Sequence, residues 1–150
     1  MGQDEKSIQQ IRALLEAQSL GVLATQQGGA PYASLVAFVA TEDLRRLYFA
    51  TARSTRKYAN LRADPRAAML VDSRSNAVSD FHRATAVTAV GQAREVDEPE
   101  KDAVMRLYLH KHPHLASFAA SPTCALLVLT IDTFYVVSTF QEVMEVHMTP

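Results

Sequence analysis

A closed antiparallel β-barrel carrying helical insertions is the fold this sequence predicts, and three observations predict it. Strand-like runs recur at 21–25, 32–41, 47–51, 67–71, 85–96, 123–131 and 134–140, most of them apolar or alternating. Helical spacing is confined to 4–18, a short stretch after Ser54 and two stretches between 97 and 120. No repeat or low-complexity linker interrupts this order, and a chain of 150 residues with 48% hydrophobic residues suffices for one domain with a sizeable core. The expected organisation is a single domain over 1–150, with an N-terminal helix (4–18), a barrel with helical insertions (21–140) and a C-terminal tail (141–150).

Ile8, Ile11, Leu14 and Leu15 recur at spacings of three and four, so 4–18 is an amphipathic helix that packs across the barrel. Gly21 to Thr25 reads as the first strand. Gln26 to Pro31 supplies a Gly-Gly turn, and the long strand Tyr32 to Thr41 completes a hairpin. On that strand Tyr32, Ser34, Val36 and Phe38 share one face while Ala33, Leu35, Ala37 and Val39 share the other, so both faces are expected to be largely buried. Ala67 to Val71 is a further strand, and Asp72 to Arg83 is a polar loop without Gly or Pro. After the strand Thr85 to Val96, Asp97 is placed to cap a helix with Pro99 in its first turn and Glu100 completing a capping box. Ala103, Val104, Leu107 and Tyr108 form that helix's apolar stripe. His114 to Ala120 is a second short helical stretch, and Asp132-Thr133 is read as a turn between the last two strands.

Charge and cysteine content exclude several classes. Fifteen Lys and Arg against sixteen Asp and Glu give a formal charge of −1, which offers no broad attraction to nucleic acid or an anionic membrane. The start MGQDEKSIQQ lacks the apolar centre of a signal peptide, and no run approaches ~18 apolar residues, so a cytoplasmic protein is expected. Lys6 stands where a myristoylation motif at Gly2 needs Ser or Thr. Cys124 is the only cysteine, which rules out an intrachain disulfide and reads as a buried, inert thiol.

The stretch Phe49 to Arg66, FATARSTRKYANLRADPR, carries the chemistry. A strand runs into hydroxyls and three cations, and Tyr58 and Leu61 then mark a helix that stops at Asp64-Pro65. Ser54 or Thr55 is placed to cap the first free amides, which puts Arg56 and Lys57 in the first turn. Cations there oppose the positive end of the helix dipole by ~0.3–1 kcal/mol each. An anion offsets that cost. A phosphate monoester would take the free N–H groups, bond Ser54 or Thr55, and be neutralised by Arg56, Lys57 and Arg53. The alternative is a solvated basic helix start.

The order GGAPYASLVAFVA, RRLYFATARSTRKYANLRADPRAAMLV and AVTAVGQAREV resembles the FMN-binding split barrel of the pyridoxamine 5'-phosphate oxidase superfamily, across roughly residues 8–140. That resemblance implies a six-stranded antiparallel split β-barrel and a homodimer with flavin at the subunit interface. It also implies that the backbone of Ser34, Leu35, Val36 and Ala37 lies along the isoalloxazine with Ala50 and Thr51, and that Thr55, Arg56 and Lys57 grip the FMN phosphate. In relatives the region of the 72–83 loop approaches the flavin of the facing subunit, which makes Asn76, Asp80, Phe81 and His82 candidate second-subunit contacts. The departures are as informative. This chain has no Trp, ends in QEVMEVHMTP, and has Ser34 and Ala86 where the family carries an arginine and a polar residue. FMN-linked redox chemistry on an unidentified small molecule is therefore expected, and pyridoxamine phosphate oxidation is not. No catalytic acid or base stands out.

A related branch binds deazaflavin with a similar phosphate grip, another binds and degrades haem, and a non-catalytic flavin carrier is a further alternative. For haem, His147 would supply the imidazole. The run His110-Lys111-His112-Pro113-His114 invites a metal reading, but Pro113 breaks the regular ligand face, and a polar helix end is expected instead.

Overall fold

The computed structural model describes residues 2–139 and 142–148. Helix α1 (Gln3–Ala17) buries Ile11, Leu14 and Leu15 among the barrel side chains, as their spacing requires. Strands β1 (Leu20–Gln27) and β2 (Ala30–Ala40) form the expected hairpin, with Gln27 opposite Ala30. Gly28 and Gly29 have φ of 61° and 85°, the left-handed pair that a two-residue hairpin turn demands. The chain continues through β3 (Arg46–Ala52), α2 (Arg56–Ala63), β4 (Arg66–Asp72), α3 (Asp80–Arg83), β5 (Ala86–Glu95) and α4 (Glu98–Lys111). A 3-10 turn (Pro113–Leu115), α5 (Ala116–Ala119), β6 (Cys124–Thr139) and β7 (Glu142–His147) complete it.

The sheet order is β3-β2-β1-β4-β5-β6-β7, and an additional pairing of β3 with β6 closes β1 to β6 into a six-stranded barrel. Every pairing is antiparallel. Phe38, Leu47, Phe49, Met69, Leu129 and Phe134 fill the interior. A second core lies between β3, β6 and the insertion that carries α4 and α5, built from Tyr48, Val104, Tyr108, Ala119, Leu126 and Val128.

Several expectations need correction. Asp132-Thr133 is not a turn: β6 runs unbroken from Cys124 to Thr139 against β5, with Gly91 opposite Ile131 and Val90 opposite Thr133. Asp132 is thus the extra residue of a bulge, which bends a strand without reversing it. Gly91 is required there, since a Cβ would lie 1.8 Å from the Thr130 carbonyl oxygen. Residues 142–147 do not trail off as a tail; β7 pairs along the C-terminal half of β6. Phe140, the expected end of the last strand, lies outside the described residues, as do 141, 149 and 150.

The apolar stripe of α4 is displaced as well. Val104 and Tyr108 are buried, whereas Ala103 is exposed and Leu107 is 39% exposed. Asp97 occupies the N-cap position of α4 without a side-chain cap bond and pairs with Arg94 at 3.4 Å instead. In the 72–83 loop, the Asp80 carboxylate accepts from the amides of Ser75 and Asn76, which orders the turn and starts α3. Strand β2 is buried on both sides only near Val36 to Val39; Tyr32 and Leu35 stand open, Leu35 by 61%.

Candidate functional site

The β2–β3 ladder pairs Ala40 with Leu47, Val39 with Tyr48 and Phe38 with Phe49, and stops there. Beyond that point β2 stays with β1 while β3 stays with β6, so the two strands part. The crevice between them has a volume of about 320 Å³. Leu35, Val36 and Ala37 form one wall, Ala50, Thr51 and Ala52 the other, and Thr55 and Lys57 stand at one end. Three of the residues that the sequence singled out on β2, both from β3, and two from the helix start are therefore brought together.

Helix α2 begins one residue after Thr55, which serves as its N-cap: the Tyr58 amide donates to Thr55 Oγ1 at 3.3 Å. The same hydroxyl donates to the Ala52 carbonyl at 2.9 Å and lies 2.9 Å from Thr51 Oγ1, so the cap is locked to the end of β3. Ser54, the other candidate cap, is exposed and takes no part in the cap. Helix geometry leaves the Arg56 and Lys57 amides without intrahelical partners. Neither side chain has an ion pair or hydrogen bond among the described residues, Arg56 being exposed and Lys57 half-buried against the crevice. Two cations and two free amides thus stand at the positive end of the helix dipole, Lys57 toward the crevice and Arg56 toward solvent.

Two residues expected at the site, Arg53 and Ser34, do not line the crevice. Arg53 donates through Nη1 to the Pro122 and Cys124 carbonyls, both at 3.0 Å, and through Nη2 to Glu95 at 2.7 Å. The Tyr58 hydroxyl donates to the other Glu95 oxygen at 2.6 Å; with Arg53 it holds that carboxyl below its ordinary range. This guanidinium ties β3 to β6 and does not line the crevice. Ser34 falls in phase with the inward-facing Val36 and Phe38, and its buried Oγ has no hydrogen-bond partner.

The insertion supplies a wall that the linear pattern did not reveal. Tyr108, Leu115 and Phe118 line the crevice, some fifty residues or more beyond the other lining residues. Tyr108 is fully buried and its hydroxyl donates to the Ala37 carbonyl at 3.2 Å; burial pushes its pKa up to about 12. Four residues on, His112 is not a polar helix end but a buried ring, 1% exposed, with Nε2 2.7 Å from the Phe38 carbonyl. Burial lowers its pKa. Lys111 donates to the Leu15 carbonyl at 2.9 Å and lies 4.1 Å from the centre of the Phe38 ring. Cys124 is buried, and that burial raises its thiol pKa. His147 bonds Thr133 on β6 and Glu145 on β7, and lines a different hollow with Asp4, Arg45 and Met148. Among the described residues no group of three His, Cys, Asp or Glu side chains is placed to hold a metal ion, and no helix is long and apolar enough to cross a membrane.

Residues 7–138 match the sequence family described as Pyridoxamine 5'-phosphate oxidase. Solved structures agree on the fold. A heme binding protein from Mycobacterium smegmatis superposes with a TM-score of 0.82 at 18% identity, over 98% of this chain and 59% of that one. The chain therefore spans well under two thirds of that relative's length. General Stress Protein 26 from Bacillus anthracis gives a TM-score of 0.73 at 18% identity, covering 99% and 100% of the two chains. A FAD-binding protein from Mesorhizobium loti gives 0.69 at 18% identity, over 86% and 90%. No curated protein sequence matches this chain.

Proposed function

We propose that this chain, which belongs to the pyridoxamine 5'-phosphate oxidase family, binds FMN in the crevice between β2 and β3 and passes electrons or hydride between that flavin and a small molecule. The observation that carries this reading is the pair of unpartnered cations, Arg56 and Lys57, at the capped start of α2. In this reading the Arg56 and Lys57 amides donate to the phosphate while their side chains neutralise it. The backbone from Leu35 to Ala37 and at Ala50 and Thr51 flanks the ring, and Tyr108, Leu115 and Phe118 keep water from its edge. FMN supplies the redox chemistry; the protein binds, orients and shields it.

The structural relatives named for haem and for FAD make flavin or haem the two cofactor classes to weigh. A single phosphate monoester suits this crevice, whose basic end is one helix start. His147, the candidate haem ligand, borders another hollow, so FMN is the reading we favour over haem. Deazaflavin shares the phosphate grip and is separated by titrating both cofactors.

A second copy of the chain completes the proposed site. Leu35, Val22, Leu70, Thr88 and Tyr135 are direct cross-strand neighbours on the outer face of five strands, and Leu35, Leu70 and Tyr135 are exposed. That row, apolar except for Thr88, begins at the crevice wall and supports a homodimer with flavin near the seam, with Phe81 and its loop as partner contacts. A cytoplasmic setting is part of the same proposal. Lys57→Ala tests it: FMN affinity measured by fluorescence quenching should fall about 10-fold or more, as for loss of a charge-assisted hydrogen bond, and Lys57→Arg should lose less. Unchanged affinity in Lys57→Ala would remove the phosphate assignment.

A further inference from the structure

Strands that part inside a barrel leave backbone groups without their ladder partners, and buried backbone groups are almost always paired. The β2–β3 ladder ends at Phe38 and Phe49, so the next opposing residues, Ala37 and Ala50, open the crevice. Tyr108 stands in that gap. Its hydroxyl donates to the Ala37 carbonyl at 3.2 Å, and Ala50 stands on the other wall of the same crevice. The phenol thus stands between the two walls, bonded to one of them, where a direct strand-to-strand bond is missing. The phenol is held from behind: its ring is buried in the second core and packs 5.1 Å, centre to centre, from the His112 ring, which bonds the adjacent Phe38 carbonyl.

We infer that Tyr108 is the positioning residue that fixes the separation of the two crevice walls and so sets how well the site receives the planar ring system of a flavin. This rests on the FMN reading above, and concerns the ring rather than the phosphate. A Leu or Phe at 108 would fill the core but bond neither wall. The strands would then relax toward or away from each other, and the ring would lose a slot of fixed width. Because Tyr108 acts on the strand walls and Arg56 and Lys57 stand at the start of α2, ring binding and phosphate binding should respond to different substitutions.

Lumiflavin, the ring system without ribityl phosphate, separates the two contributions. Tyr108→Phe should weaken FMN and lumiflavin alike, by about fivefold or more as for one lost hydrogen bond, and should move the visible band of the bound flavin toward that of free flavin. Lys57→Ala should weaken FMN and leave lumiflavin unchanged. If the unsubstituted protein binds lumiflavin and Tyr108→Phe binds it equally well with the same band, Tyr108 has no positioning role while the FMN reading stands. If the unsubstituted protein takes up neither flavin, both readings fall together. Should Tyr108→Phe not fold, hydrogen exchange at the Ala50 amide of the unsubstituted protein decides: slow exchange that slows further with lumiflavin supports the positioning role, and exchange as fast as in an exposed loop refutes it.

Discussion

Arg53 and Arg56 lie three residues apart with the same charge and opposite circumstances. Arg53 spends its guanidinium on two carbonyls and the Glu95 carboxylate, while Arg56 and its neighbour Lys57 face outward or into the crevice with no acidic partner among the described residues. The first is a fastener between β3 and β6. The others are positive charge held at a helix start, where it is unfavourable until something anionic arrives. A basic cluster is thus divided by geometry into a structural part and a binding part, and only the second should respond to a phosphate.

Substituting across that division gives the largest contrast. Lys57→Ala should lower FMN affinity and leave the melting temperature of the ligand-free protein nearly unchanged or slightly higher, because a first-turn cation is removed. Arg53→Ala should do the reverse: it orphans the Pro122 and Cys124 carbonyls and leaves Glu95 with the Tyr58 hydroxyl, so the protein should melt several degrees lower by ~1–3 kcal/mol of lost hydrogen bonding, with FMN affinity changed less than in Lys57→Ala. Equal losses of affinity in the two variants would erase the distinction. Scanning calorimetry with parallel FMN titrations reads both.

A smaller effect belongs to the insertion, at the end of α4. His112 is buried with a lowered pKa, and the groups facing it are Lys111, His114 and the Tyr108 ring. Below the ordinary histidine value of 6.5 the unfolded chain takes up a proton that the folded protein holds off, so stability should fall as pH drops through 6.5 and level off only below the folded-state pKa. Chemical denaturation between about pH 5 and 7 should show that slope, and His112→Gln, which keeps a donor for the Phe38 carbonyl, should flatten it even if it lowers stability overall. A slope that persists in His112→Gln would assign it to another group.

The sequence made the barrel readable because alternation along strands and three-four spacing along α1 and α2 are local properties. The hairpin at Gly28 and Gly29 and the stop at Asp64-Pro65 follow from backbone geometry that single residues dictate. Thr55, Arg56 and Lys57 were legible for the same reason, as neighbours on one helix start. What stayed hidden depends on contacts distant in sequence. Arg53 looks like one more cation of the cluster until β6 brings the Pro122 and Cys124 carbonyls to it, 69 and 71 residues away. Asp132 reads as a turn until β5 is seen to run past it with one residue fewer. Tyr108 and His112 look like a core residue and a polar helix end, and only the fold sets them on consecutive carbonyls of β2.

The central claim is that the start of α2 is a phosphate site, and the affinity of FMN relative to riboflavin measures it most directly. Both ligands present the same ring to the crevice, and they differ by the phosphate alone. FMN should bind about 100-fold more tightly than riboflavin to the unsubstituted protein, as for two charge-assisted contacts, and the ratio should shrink with added salt. A ratio near one, with the flavin still bound, would contradict the claim and leave Arg56 and Lys57 as solvated surface charges.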